Sequence, residues 1–333
     1  MAKLPYRCFI IADKNGDAWD ISTEIHRNLE NRLGDVFHIN ELTIEKFRNG
    51  EIKPRIEKNL RNSHCFYIAD SNQDPQYWLT QLAFVNHTLK NSSAGQIVNV
   101  LPNLFFPRQD RKDKPRVPIS SKVVADIIGL YADRVLTIDV HSQQIQGFYD
   151  IPFDSLPSFR TVGDYLHKNH REILEDEELV IGSPDAGGGK RAEGFAKRFG
   201  KQNMTIGYKI RIKDGDVEKI RFPKEQIEGR NIFMVDDIGD SFGTINEACD
   251  ELKDKGAKKI YAYCTHAFFT KGYDILNKLD KLFIGNTLKQ PYMKDMKIPD
   301  TAKGKLEEIS FAQILSEAIY RTSMGESLSA LFE

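Results

Sequence analysis

Apolar and polar positions alternate along this chain in two rhythms. Short apolar runs at 8–12, 65–69, 97–101 and 135–138 read as strands, and the stretches between them at 19–33, 75–89 and 120–131 carry helical spacing. In the second helical stretch Trp78, Leu82, Val85 and Leu89 fall on one face; in the third, Val123, Val124, Ile127 and Ile128 are assigned to one face in the same way. Both stripes are read as packing faces. After the turn-rich DIPFDSLPS at 150–158 the rhythm restarts. Helices are expected at 162–170, 189–199, 245–255 and 311–323, and strands at 179–182, 204–210, 232–235, 259–265 and 282–285. Strands and helices in alternation predict two α/β domains of similar size. The boundary stretch carries two prolines and is too short for a loose linker, which favours a shared, fixed cleft. The halves share a rhythm without convincing residue-level repetition.

Composition narrows the class. The 333 residues are 40 % hydrophobic and 29 % charged, and Lys plus Arg 47 against Asp plus Glu 48 leaves a formal charge of −1. That balance is no nucleic-acid footprint. No apolar segment approaches the ~20 residues of a membrane span, so a cytoplasmic protein with no membrane and no nucleic acid among its partners is expected. Cys8, Cys65, Cys249 and Cys264 lie far apart, without CxxC or Cys/His ligand spacing, and read as buried free thiols.

The chemistry concentrates at 232–244, IFMVDDIGDSFGT: a buried strand, two adjacent carboxylates, a third carboxylate three positions on, then a turn into a helix. Backbone N–H groups at 241–244 stand at a helix start, where the helix dipole favours an anion, so a phosphate is the expected guest. Asp236 and Asp237 would repel that phosphate and suit sugar hydroxyls or magnesium-bound water. Phosphate plus polyol suggests a sugar phosphate; a solvated acidic turn before an ordinary helix is the alternative.

Four further stretches look unlike packing. FFPRQDRKDKPR at 105–116 is dense in Arg and Lys after an aromatic pair, able to clamp a polyphosphate and stack a base, or simply a solvated face. At 137–154, Asp139 and His141 end a strand on one side by the period of two, as a divalent-cation pair or with His141 as an edge histidine. VIGSPDAGGGKR at 180–191 resembles a pyrophosphate-binding turn, although it is neither a Walker A loop nor a dinucleotide GxGxxG. KIRIKDGDV at 209–217 sets Lys209 and Arg211 on one face of a strand end, as a lid bringing charge to a phosphate or as an exposed hairpin.

Together these residues resemble the ribose-phosphate pyrophosphokinases, or phosphoribosyl diphosphate synthetases. FxRQDRKDxxRxPIS, DxHxxQIQGFxDIPxD, SPDAGGxKR, DDxxDxxGT and the ending GESLSALF occur in that family's order, from about 47 to 332. The resemblance implies two similar phosphoribosyltransferase-like α/β domains, each a mostly parallel sheet flanked by helices. The first would span 1–155, hold the ATP segments and be completed by the C-terminal helix 309–333; the second, 156–308, would hold the ribose 5-phosphate loop and the catalytic lid. It further implies transfer of the β,γ-diphosphoryl group of ATP to ribose 5-phosphate, giving 5-phosphoribosyl 1-diphosphate and AMP for nucleotide biosynthesis, with Mg2+. By the same resemblance Phe47, Asn49, Gly50 and Glu51 (from a neighbouring subunit), with Arg108, Gln109 and Asp113, bind ATP. Asp236, Asp237, Asp240, Ser241, Phe242, Gly243 and Thr244 bind ribose 5-phosphate, His141 and Asp185 bind the metal, and Lys209 and Arg211 are catalytic. A homo-oligomer built from dimers, up to a hexamer, is implied. Val140 and Ser241 are small departures from the pattern, and QYWLTQL at 76–82 lacks the usual Asn-Asp helix start. Two rivals stand beside this reading: a catalytically silent regulatory subunit, which should carry damage at the lid or metal positions, and a simple phosphoribosyltransferase, which would leave the 105–116 and 47–51 segments unexplained.

Overall fold

The computed structural model describes residues 6–211, 218–291 and 296–332, with side chains at all of these except 211, 218 and 301. The chain divides into two units, Met1–Pro157 with Thr287–Lys289 and Ser310–Glu333, and Ser158–Asn286 with Gln290–Ile309.

The first unit runs β1 (Cys8–Asp13), α1 (Trp19–Leu33), β2 (Phe37–Lys46), β3 (Ile52–Ile56), β4 (His64–Ile68), α2 (Pro75–Asn91), β5 (Gln96–Leu101), α3 (Ser120–Gly129), β6 (Arg134–Ile138) and β7 (Phe153–Leu156). Its seven strands are ordered β3-β2-β1-β4-β5-β6-β7, parallel except for the β2–β3 hairpin. Parallel strands covered by helices on both faces need side chains that are mostly apolar, which is why 8–12, 65–69 and 97–101 read as runs, broken only at Asn99, which is buried and paired with Asn86. The proline-bearing stretch at 150–158 contains β7, an edge strand, where a proline on the unpaired side costs no ladder bond. The α2 stripe is buried as expected. On α3, Val124 and Ile128 are buried but Val123 is 49 % exposed, because neighbouring helical positions point about 100° apart and cannot share a face.

The second unit runs α4 (Phe159–Asn169), α5 (Arg171–Glu175), β8 (Val180–Ser183), α6 (Gly189–Phe199), β9 (Met204–Ile206), β10 (Tyr208–Arg211), β11 (Glu218–Arg221), β12 (Asn231–Gly239), α7 (Gly243–Asp254), β13 (Lys259–Ala267), β14 (Lys281–Gly285) and β15 (Leu306–Ile309), after which α8 (Ala312–Met324) belongs to the first unit. Six parallel strands are ordered β15-β14-β13-β12-β8-β9, and β10–β11 form a separate antiparallel hairpin. The single strand expected at 204–210 is thus two. The chain leaves the sheet at Gly207, whose N–H still donates to the Ser183 carbonyl at 2.9 Å. On β12, Ile232 and Met234 pack with Ile245 and Cys249 of α7, while Phe233 faces Phe199 of α6. Alternation along the strand then places Asp237 on the α6 side.

With β3 set aside, the two sheets have one order, β7-β6-β5-β4-β1-β2 matching β15-β14-β13-β12-β8-β9. Details recur at matching positions. The Ile97 N–H donates to Asp133 at 2.7 Å and the Ile260 N–H to Asp280 at 2.8 Å. Arg134 pairs with Asp154 across β6–β7, as Lys281 pairs with Glu307 across β14–β15. The Asp139 N–H donates to Leu156 and the Asn286 N–H to Ile309, both at 3.0 Å. Nine residues past Ile97 and Ile260, Phe106 and Phe269 both adopt positive φ, 63° and 52°. A repeat absent from the residues is present in the backbone.

Candidate active site

β12 carries its carboxylates on the strand itself rather than in the following turn. Asp237 is buried, its Oδ1 3.3 Å from Arg191 Nη1; Asp236 Oδ1 lies 4.0 Å from the same nitrogen and accepts the Asp237 N–H at 2.9 Å. Burial raises the Asp236 carboxyl well above the ordinary aspartate range, the Asp237 charge raises it further, and the Arg191 guanidinium partly offsets both. Beneath them the Cys264 thiol donates to the Asp237 carbonyl at 3.5 Å; burial and then the two carboxylates push it up, so it is a neutral neighbour.

Beyond the strand the chain turns at Gly239–Phe242. A Cβ on Gly239 would fall 2.2 Å from the Phe242 ring, so only glycine lets that ring fold back. Phe242 itself has φ 56° and buries its side chain against Phe269, with ring centroids 4.5 Å apart. Any ligand contact it makes therefore comes from its backbone. Asp240 accepts from the Thr270 hydroxyl at 2.7 Å and ties the turn to the segment after β13. α7 opens at Gly243–Thr244 with no side-chain cap, an arrangement whose first-turn N–H groups can hold an anion.

Asp185, between β8 and α6, accepts the Gly187 and Gly188 N–H groups on Oδ1 at 2.9 and 3.2 Å. Those two amides are thereby committed to Asp185, which weakens the reading of this turn as a pyrophosphate cradle. Its Oδ2 lies 3.7 Å from Lys209 Nζ on β10. The side chain of Arg211 lies outside the described residues, as do 212–217 of the expected lid. The second unit thus gathers Asp236, Asp237, Asp185, Lys209 and the 240–244 turn, and adds Arg191. Pattern reading missed Arg191 because it sits on a helix whose approach to β12 is a matter of packing; the one signal was its place two residues after a glycine run.

The other candidates belong to the first unit. Phe47, Asn49, Gly50 and Glu51 form the tip of the β2–β3 hairpin, with Phe47 44 % exposed and 5.5 Å from Lys53 Nζ. Asn49 accepts the Glu51 N–H at 3.2 Å, and Gly50 takes φ 95°, so both also serve the turn. β2 continues from Leu42, where its pairing with β1 stops, to Lys46, so the tip projects on the order of 13 Å past that point. Arg108, Gln109 and Asp113 lie exposed on the segment between β5 and α3, where the Ser121 N–H donates to the Gln109 carbonyl at 3.2 Å and Ser120 to its side chain. Phe105 is core, edge-on to Trp78 at 5.3 Å, and is not placed to stack a base. Asp139 has φ 41° just past β6 and is buried while His141 is exposed, so the period of two does not carry across this strand end.

Duplicated units with one strand order, one of them ending an acidic strand at an uncapped helix start, define an α/β enzyme of the phosphoribosyltransferase-like class. Residues 18–130 match the N-terminal domain of ribose phosphate pyrophosphokinase, and 224–333 match a phosphoribosyl synthetase-associated domain. The chain is 36 % identical to a ribose-phosphate pyrophosphokinase of Vibrio vulnificus strain YJ016 over 311 residues, 91 % of this chain and 95 % of that one. To a ribose-phosphate pyrophosphokinase of Aquifex aeolicus strain VF5 it is 36 % identical over 316 residues, 94 % and 95 %. A crystal structure of phosphoribosylpyrophosphate synthetase from Mycobacterium smegmatis superposes with a TM-score of 0.80 at 26 % identity, covering 96 % of this chain and 99 % of the other. The chain belongs to the ribose-phosphate pyrophosphokinase family, and it is a diphosphoryl-transferring enzyme.

Proposed function

We propose that the enzyme joins ATP and ribose 5-phosphate: the anomeric oxygen of the sugar attacks the β-phosphorus, the bond from that phosphorus to the oxygen bridging the α-phosphate breaks, and AMP leaves. The observation that carries the acceptor half is the Asp236–Asp237 pair, with Asp237 buried and Asp236 partly so, beside the uncapped start of α7. Carboxylates accept from the ribose hydroxyls, while the 241–244 amides take the 5-phosphate, which the carboxylates would repel. Lys209 then supplies positive charge to the transferring diphosphoryl group, joined in this reading by Arg211. No nucleophilic side chain is needed, since positioning and charge neutralisation lower such barriers.

Asp185 fits a magnesium ion. Two amides fix its Oδ1, and its Oδ2 addresses the place taken by the Lys209 ammonium; Mg2+ favours one or two carboxylates plus substrate phosphates. His141 is the second residue assigned to it. Bound there, the ion would neutralise charge on the phosphate oxygens. Arg108, Gln109 and Asp113 are assigned to ATP on their exposed segment. The projecting tip at 47–51 supports donation to a neighbouring subunit, hence a homo-oligomer, and four buried free thiols suit a reducing compartment such as the cytoplasm.

The test is to follow AMP release with ATP, magnesium and ribose 5-phosphate; a folded preparation that releases none would sink the reading. Size-exclusion with light scattering tests the assembly: a strict monomer of full activity removes the role given to the 47–51 tip.

A further inference from the structure

Arg191 was assigned no role by its sequence pattern, yet it stands behind both acidic residues of the acceptor site. The α6 helix that carries it starts at Gly189, the last of the three glycines 187–189. A Cβ on Gly188 would fall 2.2 Å from the Ser183 Oγ and 3.7 Å from Arg191 Nη1, so the glycine lets α6 close onto the end of β8. That approach delivers a guanidinium 3.3 Å from Asp237 Oδ1 and 4.0 Å from Asp236 Oδ1, with the Arg191 side chain only 16 % exposed. Asp237 faces it across the α6 side of the sheet, and Asp236 shares the same nitrogen.

We infer that Arg191 is a positioning residue for acceptor binding: it orients the Asp236–Asp237 pair and favours the ionised form of its carboxylates, so that they accept from the hydroxyls of a sugar phosphate. This rests on the assignment of the pair to ribose 5-phosphate.

The charge logic is direct. Two adjacent carboxylates, one buried and one mostly so, favour retention of a proton between them, and a protonated carboxyl is a poorer acceptor for a vicinal diol. Among the groups that face the pair are Arg191 from α6 and Cys264 from β13, and the thiol is neutral. Arg191 therefore opposes burial and the mutual repulsion of the two aspartates. Because burial already raises Asp236, loss of the guanidinium raises it further, and binding should fail from the acid side upward: worst at low pH, partly restored as pH rises.

The experiment is ribose 5-phosphate binding by calorimetry without ATP, from pH 6 to 9, on the intact protein, with Arg191→Gln, Arg191→Lys and Asp237→Asn. Arg191→Gln should weaken binding roughly ten-fold or more at pH 7, with the loss shrinking toward pH 9, and Arg191→Lys should recover much of it. A pH-independent loss in Arg191→Gln, or unchanged affinity, overturns the inference, and thermal melting of each variant identifies a simple folding defect. Should Arg191→Gln not fold, the same comparison of pH slopes is made with Arg191→Met, which also removes the charge, and a pH-independent loss or unchanged affinity there overturns the inference. Asp237→Asn separates the two layers: if it leaves affinity intact, the ribose assignment itself fails, whereas if it abolishes binding while Arg191→Gln binds normally, only the role of Arg191 fails.

Discussion

The two units share a strand order and differ at the ends of their equivalent strands. Cys65 pairs with Ile97 in one sheet and Ile232 with Ile260 in the other, so Asp70, five residues past Cys65, is the counterpart of Asp237. Asp70 is sealed: it accepts the Asp17 N–H and the Asn72 N–H, both at 2.8 Å, and Gln73 lies at 3.4 Å. The following helix α2 is closed as well, with Asp74 accepting the Gln76 and Tyr77 N–H groups and Pro75 lacking an N–H altogether. In the second unit Asp237 faces an arginine, and α7 has no cap. One scaffold thus makes either a closed structural corner or a polar mouth, according to whether its own side chains satisfy the strand-end and helix-start groups. Each unit also inserts an antiparallel excursion after its second strand in chain order, β3 in one and the β10–β11 hairpin in the other. Both excursions carry residues assigned to substrate.

The largest effects should come from the open unit. Lys209→Ala is expected to lower turnover about 10²–10³-fold with little change in ribose 5-phosphate affinity or melting temperature, because the lid charge acts mainly in the transition state. Near-normal AMP release from that variant would remove Lys209 from the site.

The equivalent aspartates give the sharpest contrast. Asp237→Ala should abolish measurable saturation by ribose 5-phosphate. Asp70→Ala should leave kinetics near those of the parent and instead cost about 1–3 kcal/mol of stability, since it orphans buried backbone donors. If Asp70→Ala destroys activity in a protein with unchanged melting, the first unit's corner is not merely structural and the division into sealed and open ends fails.

The helix starts come next. Asp74→Ala should cost about 1 kcal/mol, read as a drop of a few degrees in melting temperature, with unaltered KM values. α7 has no cap to remove, so Thr244→Val should act on the KM for ribose 5-phosphate and hardly on stability. Interchanged outcomes would show that α2, and not α7, binds the anion.

What the sequence disclosed follows from what each residue must satisfy locally. Strands buried on both faces announced themselves, as at 65–69 and 97–101, because little that is polar is tolerated there, and the one exception, Asn99, is paired with Asn86. β2, FHINELTIEK, did not, since an outer strand with half-exposed positions mixes Glu, Asn and His into its pattern. The internal repeat escaped because its matching positions keep charge and not identity, Arg134 with Lys281 and Asp154 with Glu307. At the site, Asp236, Asp237 and the helix start were legible because a strand-turn-helix passage is local. Arg191 was not, since its meeting with Asp237 depends on how closely α6 packs. Within the aromatic pair at 105–106, Phe105 misled for a related reason: it answers to Trp78, which lies far from it in sequence.

The smallest expected effect lies in the matched ion pairs. Asp154 meets Arg134 in the first unit, while Glu307 meets Lys281, His170 at 2.5 Å and the Tyr165 hydroxyl at 3.1 Å. Burial alone would raise Glu307, but the hydrogen bonds from Lys281 and His170 outweigh it and hold the carboxyl below its ordinary value of 4.5. A depressed carboxyl contributes stability that is complete above its unfolded value and disappears as pH falls through the folded one. Glu307→Gln should therefore lower stability by about 1 kcal/mol at neutral pH, and its deficit against the parent protein should shrink once the pH drops below 4.5. Asp154→Asn, which breaks the simpler pair, should cost less at neutral pH. Melting curves at pH 7 and pH 3.5 for both variants decide it. A larger loss in Asp154→Asn than in Glu307→Gln would mean that the added partners of Glu307 only offset its burial, and that the simpler pair is as strong without them.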